Sequence, residues 1–193
     1  MFPSNAISAF PVSALLLSPD IQRTSDIEDF EMGGVDILDA SQGMNLYRWR
    51  CWTDNTGAIY LQRDGGPVIN YMTVAGANEL AFAFDQNMRP ALAFRMGSNR
   101  IDLRWYDSSV GQYVMSTGLT TGRNPRLSLD DKRASQTQNS DIILAYLRGT
   151  SLHYRIQRDR YLVEYTAASN LLPTTKLRNI GMATNYRFLF DLA

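Results

Sequence analysis

ILAYLRGTSLHYRIQRD fills residues 143–159, and ALAFRMGSNRIDLRWYD fills residues 91–107. A looser form, LYRWRCWTDNTGAIYLQRD, fills residues 46–64. Each is an apolar and aromatic run, a short turn rich in Gly, Asn, Ser or Thr, a second alternating run, and a closing Asp (Asp159, Asp107 or Asp64). The two closer copies match at Leu92/Leu144, Ala93/Ala145, Phe94/Tyr146, Arg95/Leu147, Gly97/Gly149, Leu103/His153 and Asp107/Asp159. One phrase recurring at roughly 50 residues marks a supersecondary unit used several times. The phrase itself is a β-hairpin: two β-forming runs joined by turn residues.

Working outward, residues 46–52 alternate, with Arg48 and Arg50 on one face and Tyr47, Trp49 and Cys51 on the other. That is the two-residue period of a half-buried strand. Further strands are predicted over residues 58–63, 68–74, 79–84, 91–95, 100–106, 112–117, 126–129, 141–147, 151–157 and 186–192. Residues 160–168 either extend the sheet or begin a short helix. Residues 118–125, 130–140 and 169–177 read as polar stretch, loop and linker. No amphipathic helix of three turns appears. Strands at short intervals between Gly, Asn and Asp turns predict an all-β fold of antiparallel repeated hairpins. Fewer than three full units are legible, too few to close a propeller in one chain. The expected body is a β-sandwich or an incomplete, propeller-like assembly over residues 31–193, preceded by an extended N-terminal arm over residues 1–30.

The arm, MFPSNAISAFPVSALLLSPD, carries Pro3, Pro11 and Pro19, which disfavour helix. Its first basic residue is Arg23, and its apolar stretch is broken by Pro11, so it does not read as a secretory signal. No run approaches the length of a membrane span. Phe2, Ile7, Phe10, Leu15, Leu16 and Leu17 would be a liability on a free arm and are expected to pack on a neighbouring subunit. Residues 20–45 are acidic around Gly33-Gly34 and read as a joint. A short helical turn over residues 26–32, capped by Ser25, and a loop fit this joint equally well.

The 193-residue chain has 19 Lys plus Arg against 19 Asp plus Glu, so no bulk field steers it to nucleic acid or an anionic membrane. Lys132 and Lys176 are the only lysines. An arginine bias suits stacked and forked contacts between proteins, although a GC-rich genome produces the same bias. The single cysteine, Cys51, leaves no intramolecular disulfide and reads as a buried, inert thiol beside Tyr47 and Trp49. One histidine, His153, cannot supply a multi-histidine metal site and reads as structural.

No phosphate-binding loop, dinucleotide fingerprint, zinc-protease helix or nucleophile elbow is present. Asp107, Asp130, Asp131 and Asp141 could supply a glycosidase pair, but read first as turn caps. Asp130, Asp131, Asn139 and Asp141 match no standard calcium loop. No cofactor is expected. Arg155, Arg158 and Arg160, interleaved with Tyr154 and Tyr161, could meet nucleic acid. The balanced charge favours pairing with carboxylates such as Asp159 or the acidic joint, within the chain or across subunits. Trp49, Trp52 and Trp105 could stack on sugars, or anchor a core or interface.

The phrases FDQNMRPALAF (84–94), LDDKR (129–133), SDIILAYLRGTSLHYRIQRDRYLVEY (140–165) and GMNLYRWRCW (43–52) resemble virion proteins encoded in the structural modules of tailed bacteriophages. The similarity spans roughly residues 30–193 and leaves out the arm. It implies a particle component of the tail, neck or fibre-attachment region, a homo-oligomer in a symmetric ring or trimer that contacts adjacent virion subunits. It implies no catalytic residues. The expectation is therefore a structural virion protein that is not an enzyme, with no membrane span and no specific nucleic acid. The alternative is a carbohydrate-binding host-recognition module of the tail.

Overall fold

The computed structural model describes residues 28–37, 44–85, 87, 89–130, 140–182 and 187–193, with side chains from Trp49 onward except Met182. Among these residues the chain is all-β and every strand pairing is antiparallel. The first sheet is β1 (Glu28–Ile37), β2 (Met44–Thr53), β3 (Ala58–Arg63) and β4 (Val68–Thr73), in that order. The second is β5 (Asn78–Phe84), β6 (Pro90–Arg95), β7 (Arg100–Asp107) and β8 (Gln112–Thr121). The third is β9 (Arg123–Leu129), β10 (Ile142–Arg148), β11 (Ser151–Ile156) and β12 (Tyr165–Ala168). A closing hairpin pairs β13 (Leu177–Met182) with β14 (Phe188–Leu192).

Each copy of the repeated phrase forms the two central strands of one four-stranded meander: β2–β3, β6–β7 and β10–β11. Three complete units are therefore present among the described residues, where the sequence predicts fewer. The outer strands escaped that count because only the central hairpin carries the shared apolar pattern. The first strand of each sheet lies against the first strand of the next: β1 on β5, β5 on β9, and β9 on β13.

Alternation along the strands builds the core. In the second sheet, Ala81, Ala83, Ala91, Ala93, Ile101, Leu103 and Trp105 face the third sheet, where Ile142, Leu144 and Tyr146 meet them. The intervening Leu80, Phe82, Phe84, Leu92 and Phe94 face the first sheet and pack with Cys51, Ile59 and Leu61. The other face of β10, with Ile143, Ala145 and Leu147, packs on Leu177 and Ile180 of the hairpin. The sheets thus stack face to face in chain order. Runs such as LAFAF (80–84) and IILAYL (142–147) are continuously apolar or aromatic because both of their faces are covered.

Two close approaches tie neighbouring sheets. Gly122 sits between β8 and β9, where a Cβ would lie 2.7 Å from the Leu147 carbonyl oxygen and 3.0 Å from the Tyr146 ring. Glu79 holds a left-handed φ of 46°. It pairs with Arg95 Nη2 at 2.9 Å and accepts the Asn124 N–H at 2.6 Å, so it joins β5 to β9.

The acidic joint is the clearest departure from expectation. Residues 28–37 form a strand paired to β2, not a helical turn or loop. Its register slips between Met32 and Val35, which places Gly33-Gly34 in the irregularity; glycine suits such a bulge. An edge strand is held by backbone bonds on one side only and tolerates charged residues. The polar stretch 118–125 divides between the end of β8 and the start of β9. Pro125 is accommodated because β9 is an edge strand. Residues 157–168 first form a short 3-10 turn, Gln157–Asp159, then β12. β13 has no counterpart in the sequence expectation, since among its described side chains only Leu177 and Ile180 are buried hydrophobics.

Candidate interaction surface

The first sheet presents one face to the core and one outward. Cross-strand pairs Cys51↔Leu61 and Thr53↔Ile59 point inward; Arg50↔Gln62 and Trp52↔Tyr60 point outward. The outward pairs are linked to one another. The Trp52 and Tyr60 rings stack at 5.5 Å with 24° between planes. The Arg50 guanidinium lies 4.3 Å from the Trp52 ring centroid and donates to Gln62 Oε1 at 2.9 Å. Gln62 Nε2 donates to the Gly66 carbonyl at 3.0 Å. Val68 and Asn70 of β4 stand opposite Gln62 and Tyr60 and extend this face to the sheet edge.

The β2–β3 turn fixes the platform from below. Asp54 Oδ1 accepts the Thr56 hydroxyl at 2.7 Å, the Thr56 N–H at 2.9 Å and the Ala58 N–H at 3.0 Å. Its Oδ2 accepts the Tyr60 hydroxyl at 2.9 Å. Led by the Thr56 hydroxyl, these bonds outweigh burial and hold the Asp54 carboxyl at about 2. The same bond to Asp54 raises Tyr60, which stays neutral at physiological pH. The result is an aromatic ridge with few free rotamers, able to meet an apolar partner with little ordering cost.

The three tryptophans do not share this face. Trp49, one parity off Trp52, turns inward and meets the Phe84 ring edge-on at 5.0 Å. Trp105 is 3% exposed, packs edge-on against Tyr161 at 5.1 Å and donates to Ser116 Oγ at 3.3 Å. Its alignment with Ile101 and Leu103 commits it to the core between the second and third sheets. Trp105 is therefore buried and, against expectation, has no ring face for a glycan, and Trp49 serves packing. Of the three, Trp52 alone stands on the outer side of its sheet, half-buried. Tyr60 joins it there, a residue the sequence reading passed over although pairing across the Asp54–Gly57 turn places it opposite Trp52.

The arginines turn inward as well. Arg155, with 13% of its side chain exposed, donates to the Tyr146 hydroxyl at 3.1 Å, the Tyr161 carbonyl at 2.6 Å and Glu164 Oε2 at 3.2 Å. Arg155 thus braces β10, β11 and the segment before β12 from within the third sheet. Arg158 pairs with Asp141 at 2.7 Å and Asp130 at 3.2 Å, and Arg160 with Asp107 at 2.7 Å. These two remain about half exposed, at 50% and 56%. Pairing with carboxylates was expected, but the partners are these residues and not Asp159, which accepts the Tyr165 hydroxyl. The side chains of the joint's carboxylates lie outside the described residues, as do Phe2, Ile7, Phe10, Leu15, Leu16 and Leu17 of the arm.

Glu164 is the hub no motif announced. Arg148, Arg155 and the Tyr146 hydroxyl all donate to it, and His153 Nδ1 lies 3.5 Å away. Burial pushes its carboxyl up, but the bonds from Tyr146 and Arg148 and the neighbouring positive charge bring it to about 2. His153 is pushed down by burial, against the pull of Glu164, and bonds the Thr166 hydroxyl at 3.2 Å. Asp107 is lowered chiefly by the Ser109 hydroxyl. Asp107 is thus a turn cap and an arginine partner, Asp130 and Asp141 are arginine partners, and Asp131 and Asn139 lie outside the described residues.

Among the described residues no group of three or more His, Cys, Asp or Glu is arranged to hold a metal ion. Among them, too, no helix is long and apolar enough to cross a membrane. A crevice between β9, β10 and the closing hairpin, lined by Asp130, Ile143, Ile180 and Phe190, has a volume of about 10 Å³, room for roughly one water. No family model, curated protein or solved structure matches the chain.

Proposed function

We propose that this chain is a structural, non-catalytic component of a tailed-phage virion, in the tail or the fibre-connecting apparatus, working by protein–protein assembly. One observation carries the assembly reading: the stack ends unequally. Its middle sheets are filled on both faces, while its first sheet carries a braced, half-buried aromatic ridge on its outer side. The resemblance of the long phrases at residues 84–94 and 140–165 to virion proteins supplies the setting. In this reading the arm, through Phe2, Ile7, Phe10 and Leu15–Leu17, docks on an adjacent tail, neck or fibre subunit. Repetition of a modest contact around a ring or trimer gives avidity without strong single interfaces.

Deleting residues 1–19 tests the arm. The body is expected to stay folded by circular dichroism and to disappear from purified particles. Normal incorporation of the truncated chain refutes the arm's role.

The Trp52–Tyr60 pair supports a second reading, a carbohydrate-binding host-recognition module, because two aromatic rings on the outer side of a sheet offer apolar contact to a sugar. Glycan-array binding that vanishes in Trp52→Ala supports it. A silent array for the intact chain removes it.

A further inference from the structure

We infer that copies of this chain associate head to tail, the Arg50–Trp52–Tyr60 face of one copy covering the Gly181–Leu189–Asp191 face of the β13–β14 hairpin of the next. The inference rests on the assembly reading above and deepens it by naming the occupant of the open face: a second copy.

Three observations point there. The first is the order of the stack. Inside the chain each sheet is covered by the next, and β1, β5, β9 and β13 follow one another by contact. Only the outer faces of the first sheet and of the hairpin lack a covering sheet among the described residues. Placing the next copy's first sheet on the hairpin continues the internal rule, as stacked repeats do.

The second is shape. On β14, Phe188, Phe190 and Leu192 pack inward, so Leu189 and Asp191 face out. Leu189 is 55% exposed. Its register partner is Gly181, where an added Cβ would meet nothing within 4 Å. A raised leucine beside a bare glycine makes a step and a notch. The Trp52 and Tyr60 rings, stacked on one another, stand as a rigid apolar ridge that such a notch can receive.

The third is charge. Asp191 is exposed and makes no ion pair among the described residues. The described partners of Arg50 are neutral, the Gln62 amide and the Trp52 ring. The two faces therefore bring an arginine and a carboxylate of opposite sign, each flanking the apolar contact, and an Arg–carboxylate fork gives such a contact its register. Because the two faces differ, the contact is heterologous: it closes into a ring if the rotation permits and otherwise extends.

The test uses the full chain in sedimentation velocity over a concentration series, with circular dichroism as the folding check. Wild type is expected to form species larger than a monomer. A sheet-end variant, Trp52→Ala with Arg50→Glu, and a hairpin-end variant, Leu189→Arg, should each weaken association by about tenfold or more. Mixed together, the two variants should form a one-to-one dimer and nothing larger, since each retains one intact end. Arg50→Asp should be rescued by Asp191→Arg in the same chain. A wild type that stays monomeric, end variants that assemble like wild type, or a mixture that gives no dimer overturns the inference. So does association abolished by deleting residues 1–19 and untouched by the end variants, which makes the arm the occupant. Particle incorporation is scored separately. Entry into particles by a chain monomeric in solution sinks the head-to-tail contact and spares the virion reading; assembly in solution by a chain absent from particles does the reverse.

Discussion

The first and second sheets are built on the same phrase and meet opposite fates. In β6–β7, one parity (Ala91, Ala93, Ile101, Leu103) packs on the third sheet, and the other (Leu92, Phe94) packs on the first. In β2–β3, one parity (Cys51, Ile59, Leu61) is buried, and the other carries Arg50, Trp52, Tyr60 and Gln62 outward. The hairpin specifies only the pairing. Whether its second face is apolar or polar decides whether it becomes an inner layer or an outer one. The small Ala81, Ala83, Ala91 and Ala93 on the shared face let the second and third sheets approach closely, with Trp105 and Tyr146 filling the remaining space.

The contrast can be broken most strongly in the inner layers. Phe82→Ala removes a fully buried ring that meets Phe84 edge-on at 5.7 Å. It is expected to cost about 4 kcal/mol in urea unfolding. A cost below about 1 kcal/mol would mean that the first and second sheets are not packed as described.

Glu164→Gln comes next. It leaves Arg148 and Arg155 with a neutral partner and is expected to cost about 3 kcal/mol at neutral pH. The dependence on pH identifies the cause. Glu164 lies at about 2 in the fold against an ordinary 4.5. Its contribution is therefore complete above 4.5 and is lost as pH falls toward about 2. His153 lies below its ordinary 6.5, so the unfolded chain binds its proton first and stability declines as pH drops below 6.5. Thermal midpoints recorded from pH 7 to pH 3 should flatten at the upper end in His153→Gln and at the lower end in Glu164→Gln. Parallel curves for wild type and both variants would exclude this hub as the source of acid sensitivity.

Gly122→Ala tests the seam between the second and third sheets. The new methyl would press on the Leu147 carbonyl and the Tyr146 ring. A loss of about 2 kcal/mol is expected, read as a lower urea midpoint with unchanged slope. Trp52→Ala, on the outer face, should move stability by less than about 1 kcal/mol while abolishing any partner contact made there. A large loss of stability in Trp52→Ala would mean that this indole is buried in the monomer and would erase the distinction between inner and outer sheets.

Legibility in the sequence followed the strength of alternation. The central hairpins and the inward Cys51 were readable because their period is two and their turns carry Gly and Asn. β1 was not, since an edge strand needs only half its backbone partners and its acidic residues mask the pattern. β13 was not, because only Leu177 and Ile180 mark its inner face. Pairing of Arg158 and Arg160 with carboxylates, within the chain or across subunits, was legible from charge balance, but the partners Asp141, Asp130 and Asp107 were not, Asp159 and the acidic joint having been expected. The Glu164 hub unites β10, β11 and the segment before β12, and no local window contains those residues together.

By itself the sequence determined an antiparallel, all-β chain of repeated hairpins, because side-chain alternation and turn chemistry are local properties of the backbone. Tertiary structure alone decided that there are three complete meanders, which tryptophan faces outward, and which carboxylate each arginine takes. Those outcomes depend on which sheet covers which face, and a sheet face is assembled from strands far apart in the chain.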